Sequence, residues 1–290
     1  MTATAGVESG GGRPSQTVQV FEPNSLTMPS LADYLRDLSA RRAFIAELAV
    51  AEVKAQRSST VMGELWSLVD PLFQAAIYYF LFVVIRGGES GRTTEYVTVI
   101  IGCVFLFNFT RISISDGGRS ILRHRGLVLN AVFPRALLPV AEVYKGFLAT
   151  IPALILYAIM HVAVGAPISS SVLWLPFLLV VQSGINLGLA LLFSTATAYF
   201  KDVSNLLNYV QRLLLVATPV VYPVSLLSPA LRSILSWNPL FALFTTYQAI
   251  ILGEQVDPGL VAQSVVWSVV LLACGGSVFL RHERSFALHA

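Results

Sequence analysis

The sequence predicts an all-α integral membrane protein with six transmembrane helices per subunit, and three observations support this. Apolar residues make up 55% of the 290 residues and charged residues 12%, about half the charged fraction of ordinary soluble domains. The mean hydropathy is +0.71. Residues 146–200 form a run of 55 positions without Asp, Glu, Lys or Arg, which is enough for two crossings of about 20 residues each. A water-soluble globule is therefore excluded.

The third and fourth crossings share this run, and Gly165, Ala166 and Pro167 are expected to form the turn between them. Shorter charge-poor stretches supply the other four crossings. These stretches are residues 71–85 (extended back through Trp66), 96–115, 203–222 (interrupted only by Arg212) and 259–280.

The distribution of basic residues predicts the orientation of the helices. Twelve Lys and Arg residues fall on the side that holds the N-terminus, the second and fourth connections and the C-terminus, whereas Arg86, Arg92 and Arg232 fall on the opposite side. Cytoplasmic segments carry an excess of such residues, so both termini are expected in the cytoplasm and the number of crossings should be even. Residues 224–253, which prolines interrupt, should therefore form re-entrant helices that enter and leave at the outer face.

The N-terminal region predicts a tail followed by a surface helix. Residues 1–29 are rich in Gly, Ser, Thr and Pro and predict a disordered cytoplasmic tail; residues 285–290 are expected to form a second cytoplasmic tail. Across residues 30–60, apolar side chains recur at helical spacing opposite charged ones. This pattern predicts an amphipathic helix along the inner membrane surface, and an ordinary packed helix is a compatible alternative. The residues assigned to this interface helix are Arg41, Arg42, Phe44, Leu48 and Arg57.

The sequence lacks the motifs of an energy-coupling or catalytic site. No Lys follows a Gly, which excludes the GxxxxGK[ST] phosphate loop, and no histidine pair has a zinc-binding spacing. Glu142 and Lys145 lie three residues apart near the start of the third crossing; a mutually neutralising pair is preferred to a proton relay. We therefore expect no catalytic group, metal or cofactor on this chain and an energy source on another subunit.

The second cytoplasmic connection, Asp116–Pro139, is long, basic and partly apolar. This mixture suits docking on another protein, although a loop that only fixes the orientation of the helices is the alternative. The residues assigned to docking are Arg119, Arg123, His124, Arg125, Phe133 and Arg135.

Three elements, in order and spacing, resemble the membrane subunits of type-2 ABC exporters for polysaccharides. They are Arg57–Trp66 followed by Asp70-Pro71, Lys201-Asp202-Val203 before the fifth crossing, and Ser236–Leu240, which resembles the Asn-Pro-Leu element after the outer re-entrant pieces. The resemblance covers about residues 30–284, and the mycobacterial galactan exporter is the most similar type. Lys201 and Gln248 depart from the family pattern, which often has Arg at the first position and a basic residue at the second.

The resemblance implies a permease domain over residues 61–284 that forms a homodimer with two copies of a separate nucleotide-binding ATPase. ATP and Mg²⁺ would bind the ATPase, and the cargo would be a lipid-linked glycan such as galactan or O-antigen, exported across the cytoplasmic membrane of a bacterium. By position, Arg119–Arg135 would hold a coupling helix in a cleft of the ATPase, braced by the helix near Arg41–Arg57. A drug or small lipid as cargo, and an ion-coupled carrier, are the alternatives.

Aromatic side chains are candidates for a glycan conduit because the C–H faces of sugar rings pack on aromatic planes. Phe105 and Phe109 share a helix face while Phe107 points away, so one of the two sets is expected to face lipid. Tyr222 and Asn238 flank the re-entrant stretch and predict an outer gate. The candidates for channel and gate are Tyr78, Tyr79, Phe82, Phe105, Phe109, Tyr222 and Asn238.

Overall fold

The computed structural model describes residues 31–58, 92–130 and 133–286, and the single positions 69, 72, 73, 76, 77 and 80. Within these residues every regular element is helical, which confirms the all-helical prediction. The helices are α1 (Leu31–Ala40), α2 (Arg42–Ser58), α3 (Arg92–Ile112), α4 (Ser120–Arg123), α5 (Arg125–Asn130), α6 (Leu137–Ala163), α7 (Leu175–Tyr199), α8 (Val203–Ala217), α9 (Pro229–Leu235), α10 (Phe241–Ile251) and α11 (Pro258–His282). A π-helical turn, Ser113–Gly117, continues α3.

Four helical segments among the described residues are long and apolar enough to cross a membrane. They are Glu95–Gly117, Leu137–Ala163, Ser170–Tyr199 and Pro258–His282, which correspond to the second, third, fourth and sixth predicted crossings. The fifth corresponds to α8, whose 15 residues rise only about 22 Å against a hydrocarbon core of about 30 Å. The predicted tail at residues 1–29 and most of the first crossing lie outside the described residues, so the total of six stays a prediction.

The crossings alternate in direction, which gives the bundle two distinct ends. Contacts between Tyr199 and His282 and between Asp116 and Lys145 bring one set of helix ends together; we call this the basal end. The opposite, apical end has a cavity of about 680 Å³ lined by residues that include Glu95, Pro167 and Asp257.

Helix ends follow their sequence signals. Asp257 accepts a hydrogen bond from the Gly259 N–H, and Pro258 opens α11; Ser228 caps α9 in the same manner. Gly165, after α6, has a φ of +70°, a left-handed value that favours glycine. The predicted turn between the third and fourth crossings is therefore confirmed.

The N-terminal segment differs from the single helix that its pattern predicts. It forms two helices, α1 and α2, and the break falls at Arg41, whose N–H is shared by the carbonyls of Asp37 and Leu38 at 3.2 Å each. Helix α2 packs along α6, and Leu38 and Leu48 contact a basal apolar cluster that includes Phe279 and Phe286. The packed alternative thus describes the observed contacts, while location at the membrane surface stays a prediction.

The C-terminal tail also begins differently from its prediction. Ser285 and Phe286 were expected in a cytoplasmic tail, but Phe286 is buried and its ring lies edge to face with Phe279, 5.1 Å between centroids. The aromatic contact therefore extends the packed region past the end of α11.

Glycines allow α7 and α11 to approach closely. A Cβ atom at Gly275 would overlap the backbone carbonyl oxygen of Gly188, and one at Gly188 would overlap the backbone of Leu271. Small residues at such contacts are typical of helix packing in membranes, where backbones must approach without intervening side chains.

A buried polar link joins α7 to α3 and α10. Gln182 of α7 donates from Nε2 to the Leu106 carbonyl oxygen at 2.9 Å and to Thr110 Oγ1 at 3.0 Å, while its Oε1 accepts from the Tyr247 hydroxyl at 2.9 Å. Every polar atom of this amide therefore has a partner, which removes the penalty for burying it.

The segment 224–253 contains α9 and α10, of 7 and 11 residues. Both are too short to cross a bilayer, as the re-entrant prediction requires. Nearly all of α10 is buried against the other helices. Since the structure contains no membrane, the depth to which these helices enter stays a prediction.

Alanine at position 275 should destabilise the protein, since its Cβ would push α11 away from the Gly188 backbone. We expect G275A to cost about 1–3 kcal/mol, which lowers the thermal unfolding midpoint by roughly 2–4 °C per kcal/mol. G276A is the matched control, because a Cβ there meets nothing within 4 Å. Equal midpoints for the two variants in detergent would contradict the close-packing argument.

Candidate functional site

Six ionisable side chains form a cluster at the basal end, which we call the ionic cluster. Its members are Glu52 of α2, Asp116 of the π-helical turn, Arg123 of α4, His124, and Glu142 and Lys145 of α6. Three carboxylates thus face a guanidinium, an ammonium and an imidazole. The charges balance when His124 is protonated, and the cluster joins α2, α3, α4 and α6.

Lys145 is the centre of the ionic cluster. Its Nζ lies 3.1 Å from Glu52 Oε2 and 2.8 Å from Asp116 Oδ2, and it also contacts Glu142 Oε2. Only 3% of the Lys145 side chain and 1% of the Glu142 side chain are exposed. Charges this deeply buried are tolerated only when paired, so the predicted Glu142–Lys145 pair exists as part of a larger network.

Arg123 bridges two of the carboxylates. Its guanidinium lies 3.0 Å from Glu142 Oε1 and 3.2 Å from Asp116 Oδ1. The sequence assigns Arg123 to docking, whereas the structure directs its charged group into the protein. Arg123 therefore anchors α4 to the ends of α3 and α6.

His124 pairs with Glu52. The Nε2 atom lies 2.7 Å from Glu52 Oε1, and Nδ1 lies 3.0 Å from the carbonyl oxygen of Ser120. Both ring nitrogens face acceptors, an arrangement that suits the protonated imidazole. The hydrogen bond to Glu52, acting against burial, raises the pKa of His124. Burial opposes the charge of Glu52, but His124 and Lys145 outweigh it and lower the pKa of Glu52 to about 2.

The same residues could be considered for a metal site. Glu52, His124 and Glu142 offer three ligand atoms within 4.8 Å of one another. However, the Lys145 ammonium contacts both carboxylates and already supplies positive charge between them. The donor set therefore fits an ion-pair network better than a metal centre.

A second junction lies beside the ionic cluster. Glu283 Oε1 accepts hydrogen bonds from the Tyr34 hydroxyl at 3.1 Å and from the Arg135 N–H at 2.6 Å, and the Arg135 guanidinium donates to the Glu283 carbonyl oxygen. Burial and the Glu283 carboxylate raise the pKa of Tyr34. This junction holds α1, the start of α6 and the end of α11 together.

The remaining docking candidates divide into packed and exposed residues. Arg119 donates to the Ser204 carbonyl oxygen at 2.7 Å and to Asn208 Oδ1 at 3.3 Å, which ties the connection to α8. Phe133 packs on the basal apolar cluster. Arg125 is exposed on α5, as is Leu129, with 48% of its surface accessible. The surface available for docking is therefore α5, and docking itself stays a prediction.

Of the interface-helix candidates, Arg41 and Phe44 are exposed and Leu48 packs inward. Arg41 pairs with Asp37 at 3.2 Å on the surface. Phe44 is exposed, whereas Leu48 is partly buried. The side chains of Arg42 and Arg57 lie outside the described residues.

Only part of the predicted aromatic conduit lies within the described residues, and the expectation that one set of its rings faces lipid is wrong. Tyr78, Tyr79 and Phe82 lie outside the described residues. Phe105 and Phe109 are both buried, and so is Phe107, so neither set faces lipid. The reason is that Phe105 and Phe109 lie edge to face with Tyr157 and Phe147 of α6, and Phe107 with Phe244 of α10. Phe105 and Phe109 are core residues here.

The predicted gate residues both contact the end of α8, where the Tyr222 hydroxyl donates to the Val216 carbonyl oxygen at 2.9 Å. Asn238 Nδ2 donates to the Ala217 carbonyl oxygen at 3.0 Å and to Thr218 Oγ1 at 2.9 Å, which links the chain after α9 to the end of α8. Gln248 Nε2 donates to the Tyr222 carbonyl oxygen at 2.9 Å. Gating by Tyr222 and Asn238 stays a prediction.

Sequence reasoning missed the roles of Glu52, Asp116 and Gln248. Glu52 appears in the sequence only as part of a polar helix face, and Asp116 only as the start of a connection. A usable signal existed, because a lysine and a glutamate at the start of an apolar crossing require charge partners nearby. The sequence cannot say which residues these partners are, because Glu52 and Lys145, which are in contact, lie 93 residues apart.

Replacing His124 by Gln should reveal its charge through the pH dependence of stability. Because the folded state raises the pKa of His124, its contribution is complete below the ordinary value near 6.5 and is lost as pH rises through the raised pKa. We expect H124Q to lower the unfolding midpoint at pH 6 by about 2–4 °C, for about 1 kcal/mol, and by less at pH 9. The exposed His282 provides the control, H282Q, and a pH-independent effect of H124Q would contradict the ion pair.

Comparison with known proteins adds the family. The sequence model of the family described as ABC-2 type transporter matches residues 45–252. An O-antigen export system permease protein, RfbA, of Klebsiella pneumoniae is 24% identical over 267 residues, which cover 91% of this chain and 98% of the relative. Its namesake in Myxococcus xanthus is 27% identical over 257 residues, which cover 87% and 97%. The match over well over half of the chain, together with the apolar spanning helices, shows that this protein belongs to the ABC-2 type transporter family of multi-pass membrane permeases, which are transporter components rather than enzymes.

Proposed function

We propose that this chain is the permease subunit of an ATP-driven exporter that moves a lipid-linked polysaccharide across the bacterial cytoplasmic membrane. Two copies would pair with two copies of a separate ATPase subunit, which binds ATP and Mg²⁺. The observation that carries the proposal is the ionic cluster, because it fastens the α4–α5 connection, which exposes Arg125 and Leu129, to the helices that cross the membrane. The names of the relatives, both O-antigen export permeases, support a polysaccharide cargo.

The ionic cluster gives force on α5 a route into the membrane helices. Helix α5 is short and follows His124 directly; its inner side buries Val128, and its outer side exposes Arg125 and Leu129. A force on α5 acts first on Arg123 and His124. Arg123 contacts Asp116 of the π-helical turn, and His124 contacts Glu52 of α2. Both of these carboxylates contact Lys145 of α6. A partner that seats on α5 can therefore move several helices together.

The basal junctions also support the proposed orientation. Tyr34 near the N-terminus, Arg135 before α6 and Glu283 near the C-terminus are in contact. Both ends of the described chain therefore lie on the side that holds the α4–α5 connection. With the excess of basic residues on this side, we place both termini in the cytoplasm.

Within the polysaccharide class, the sequence resemblance favours galactan and the names of the relatives favour O-antigen. We propose a glycan of this kind and keep a drug or small lipid as the alternative cargo. An ion-coupled carrier is the less favoured alternative, since the half-buried Asp116 and the buried Glu142 are neutralised by Lys145 and Arg123.

Depletion of this protein in its host should test the cargo. If the proposal holds, the lipid-linked glycan accumulates on the cytoplasmic side, and a plasmid copy of the wild-type gene restores export. Export should also stop when the partner ATPase is inactivated. Unchanged glycan export with reduced efflux of a drug would favour the alternative cargo, and export that follows the proton gradient without the ATPase would refute the proposed energy source.

Substitution of Leu129 should test docking on α5. We expect L129D to reduce co-purification of the ATPase by at least about tenfold, as for a residue at the centre of an interface. L226D is the matched control, because Leu226 is also exposed, at 61%, but precedes α9 away from the basal end. Equal recovery of the ATPase with both variants would place the docking surface elsewhere.

A further inference from the structure

A polar groove lies between α3 and α8, inside a region that is otherwise apolar. The cavity measures about 360 Å³. Its polar lining consists of Asn108, Arg111, Asn208, Gln211 and Arg212, and its apolar wall includes Val104, Phe107 and Leu215. Polar side chains within membrane helices are uncommon and usually have a function, and neither the ionic cluster nor the predicted gate uses these five.

The groove contains two arginines without acidic partners in the part of the chain that the structure describes. Arg111 Nε donates to Asn108 Oδ1 at 2.8 Å, and the Arg212 guanidinium lies 5.9 Å from the centre of the Tyr209 ring. Neither contact neutralises a positive charge. The groove is therefore cationic, in contrast to the balanced ionic cluster.

Gln211 supplies a further unused donor. Only 8% of this residue is exposed, yet its Nε2 has no hydrogen-bond partner within the described residues. A buried N–H group without an acceptor is destabilising, because it loses its hydrogen bond to water and gains none in return. This donor and the two guanidinium groups together call for a ligand that carries negative charge and several acceptor atoms.

The depth of the groove suits the head group of a lipid. Arg111 lies six residues before Gly117, the basal end of its crossing, and Arg212 lies nine residues after the start of α8. At 1.5 Å per residue, the arginines are roughly 9–14 Å from the basal helix ends. From this depth the long side chain of an arginine can extend towards the head groups of the inner leaflet.

We propose that this groove binds the phosphate or diphosphate group of a lipid that enters from the inner leaflet. The proposal rests on the proposed function and specifies how the lipid end of the cargo is recognised. Arginine suits this role because its fork of N–H donors matches phosphate oxygens and keeps its charge in a partly dry site. Leu213 and Val216, exposed on α8 beside Arg212, provide an apolar surface for the lipid chain.

Binding to the intact complex of permease and ATPase, in vesicles of neutral phosphatidylcholine, tests the proposal. The probes are a polyprenyl diphosphate, the matching polyprenol and inorganic pyrophosphate. We expect the polyprenyl diphosphate to bind wild type at least about tenfold more tightly than either of the others. The double variant R111Q/R212Q should lose at least about tenfold in affinity for it, since each charge-assisted contact is worth about that factor.

Two further variants serve as controls. R232Q removes an arginine from the apical cavity and should bind the polyprenyl diphosphate as wild type does. R111K/R212K keeps both charges and should bind more tightly than R111Q/R212Q. Since no carboxylate contacts Arg111 or Arg212 in the described structure, the thermal unfolding midpoint of the double Gln variant should match that of wild type.

Three results would overturn the inference. Equal affinity of wild type and R111Q/R212Q would show that the arginines do not bind the ligand. Equal affinity for the polyprenol would show that the phosphate is not recognised, and equal affinity for pyrophosphate would indicate a site for a free anion. Export of the glycan by wild type is measured in parallel. Absence of this export counts against the proposed function. If export is intact but R111Q/R212Q binds the polyprenyl diphosphate as tightly as wild type does, the result counts against the groove alone.

Discussion

The basal end of this protein depends on the need to neutralise the buried ammonium of Lys145. In a medium of low dielectric constant, an unpaired charge of this kind would cost several kcal/mol. Its carboxylate partners come from three different parts of the chain, Glu52, Asp116 and Glu142. Because Lys145 contacts all three, α2, α3 and α6 cannot separate at this end without exposing or stranding charge. The ion pairs therefore act as a joint between the surface helices and the crossings.

Different physical interactions join the helices at different depths. The basal joint is ionic and contains groups that titrate, such as His124. In the middle, α7 and α11 meet through the backbones of Gly188 and Gly275, a contact that depends on shape alone. Towards the apical end, Gln248 and Asn238 connect short segments through amide hydrogen bonds. Ionic and amide contacts can exchange partners, whereas the close contact between glycine backbones cannot. We therefore expect the helices to move relative to one another at the two ends rather than in the middle.

The sequence predicts the second, third, fourth and sixth crossings well, because the energetic penalty for charge in the bilayer leaves long stretches of the chain with few charges. It also predicts the turn at Gly165 and the proximity of Glu142 to Lys145, which are close in sequence. It does not predict the pairing of Glu52 with Lys145, because only the packing of α2 on α6 brings them together.

The faces of α3 were beyond prediction for a related reason. Helical spacing separates Phe107 from Phe105 and Phe109, and on a peripheral helix one of these faces would meet lipid. Instead, α3 packs on α6 with the face of Phe105 and Phe109 and on α10 with the face of Phe107, so both sets of rings are buried. Only contacts between helices far apart in sequence decide this.

The groove and the ionic cluster share one helix, and this has a mechanical consequence. Arg111 lies on α3, and Asp116 lies on its π-helical extension, Ser113–Gly117. A π-helical turn replaces the regular hydrogen bonds of an α-helix and frequently occurs at functional sites. If α4 moves, its Arg123 displaces Asp116 in this turn. The turn connects Asp116 to Arg111, so any displacement of Arg111 depends on the turn. The turn is therefore the point where a signal from the docking side and the binding of a lipid phosphate would meet.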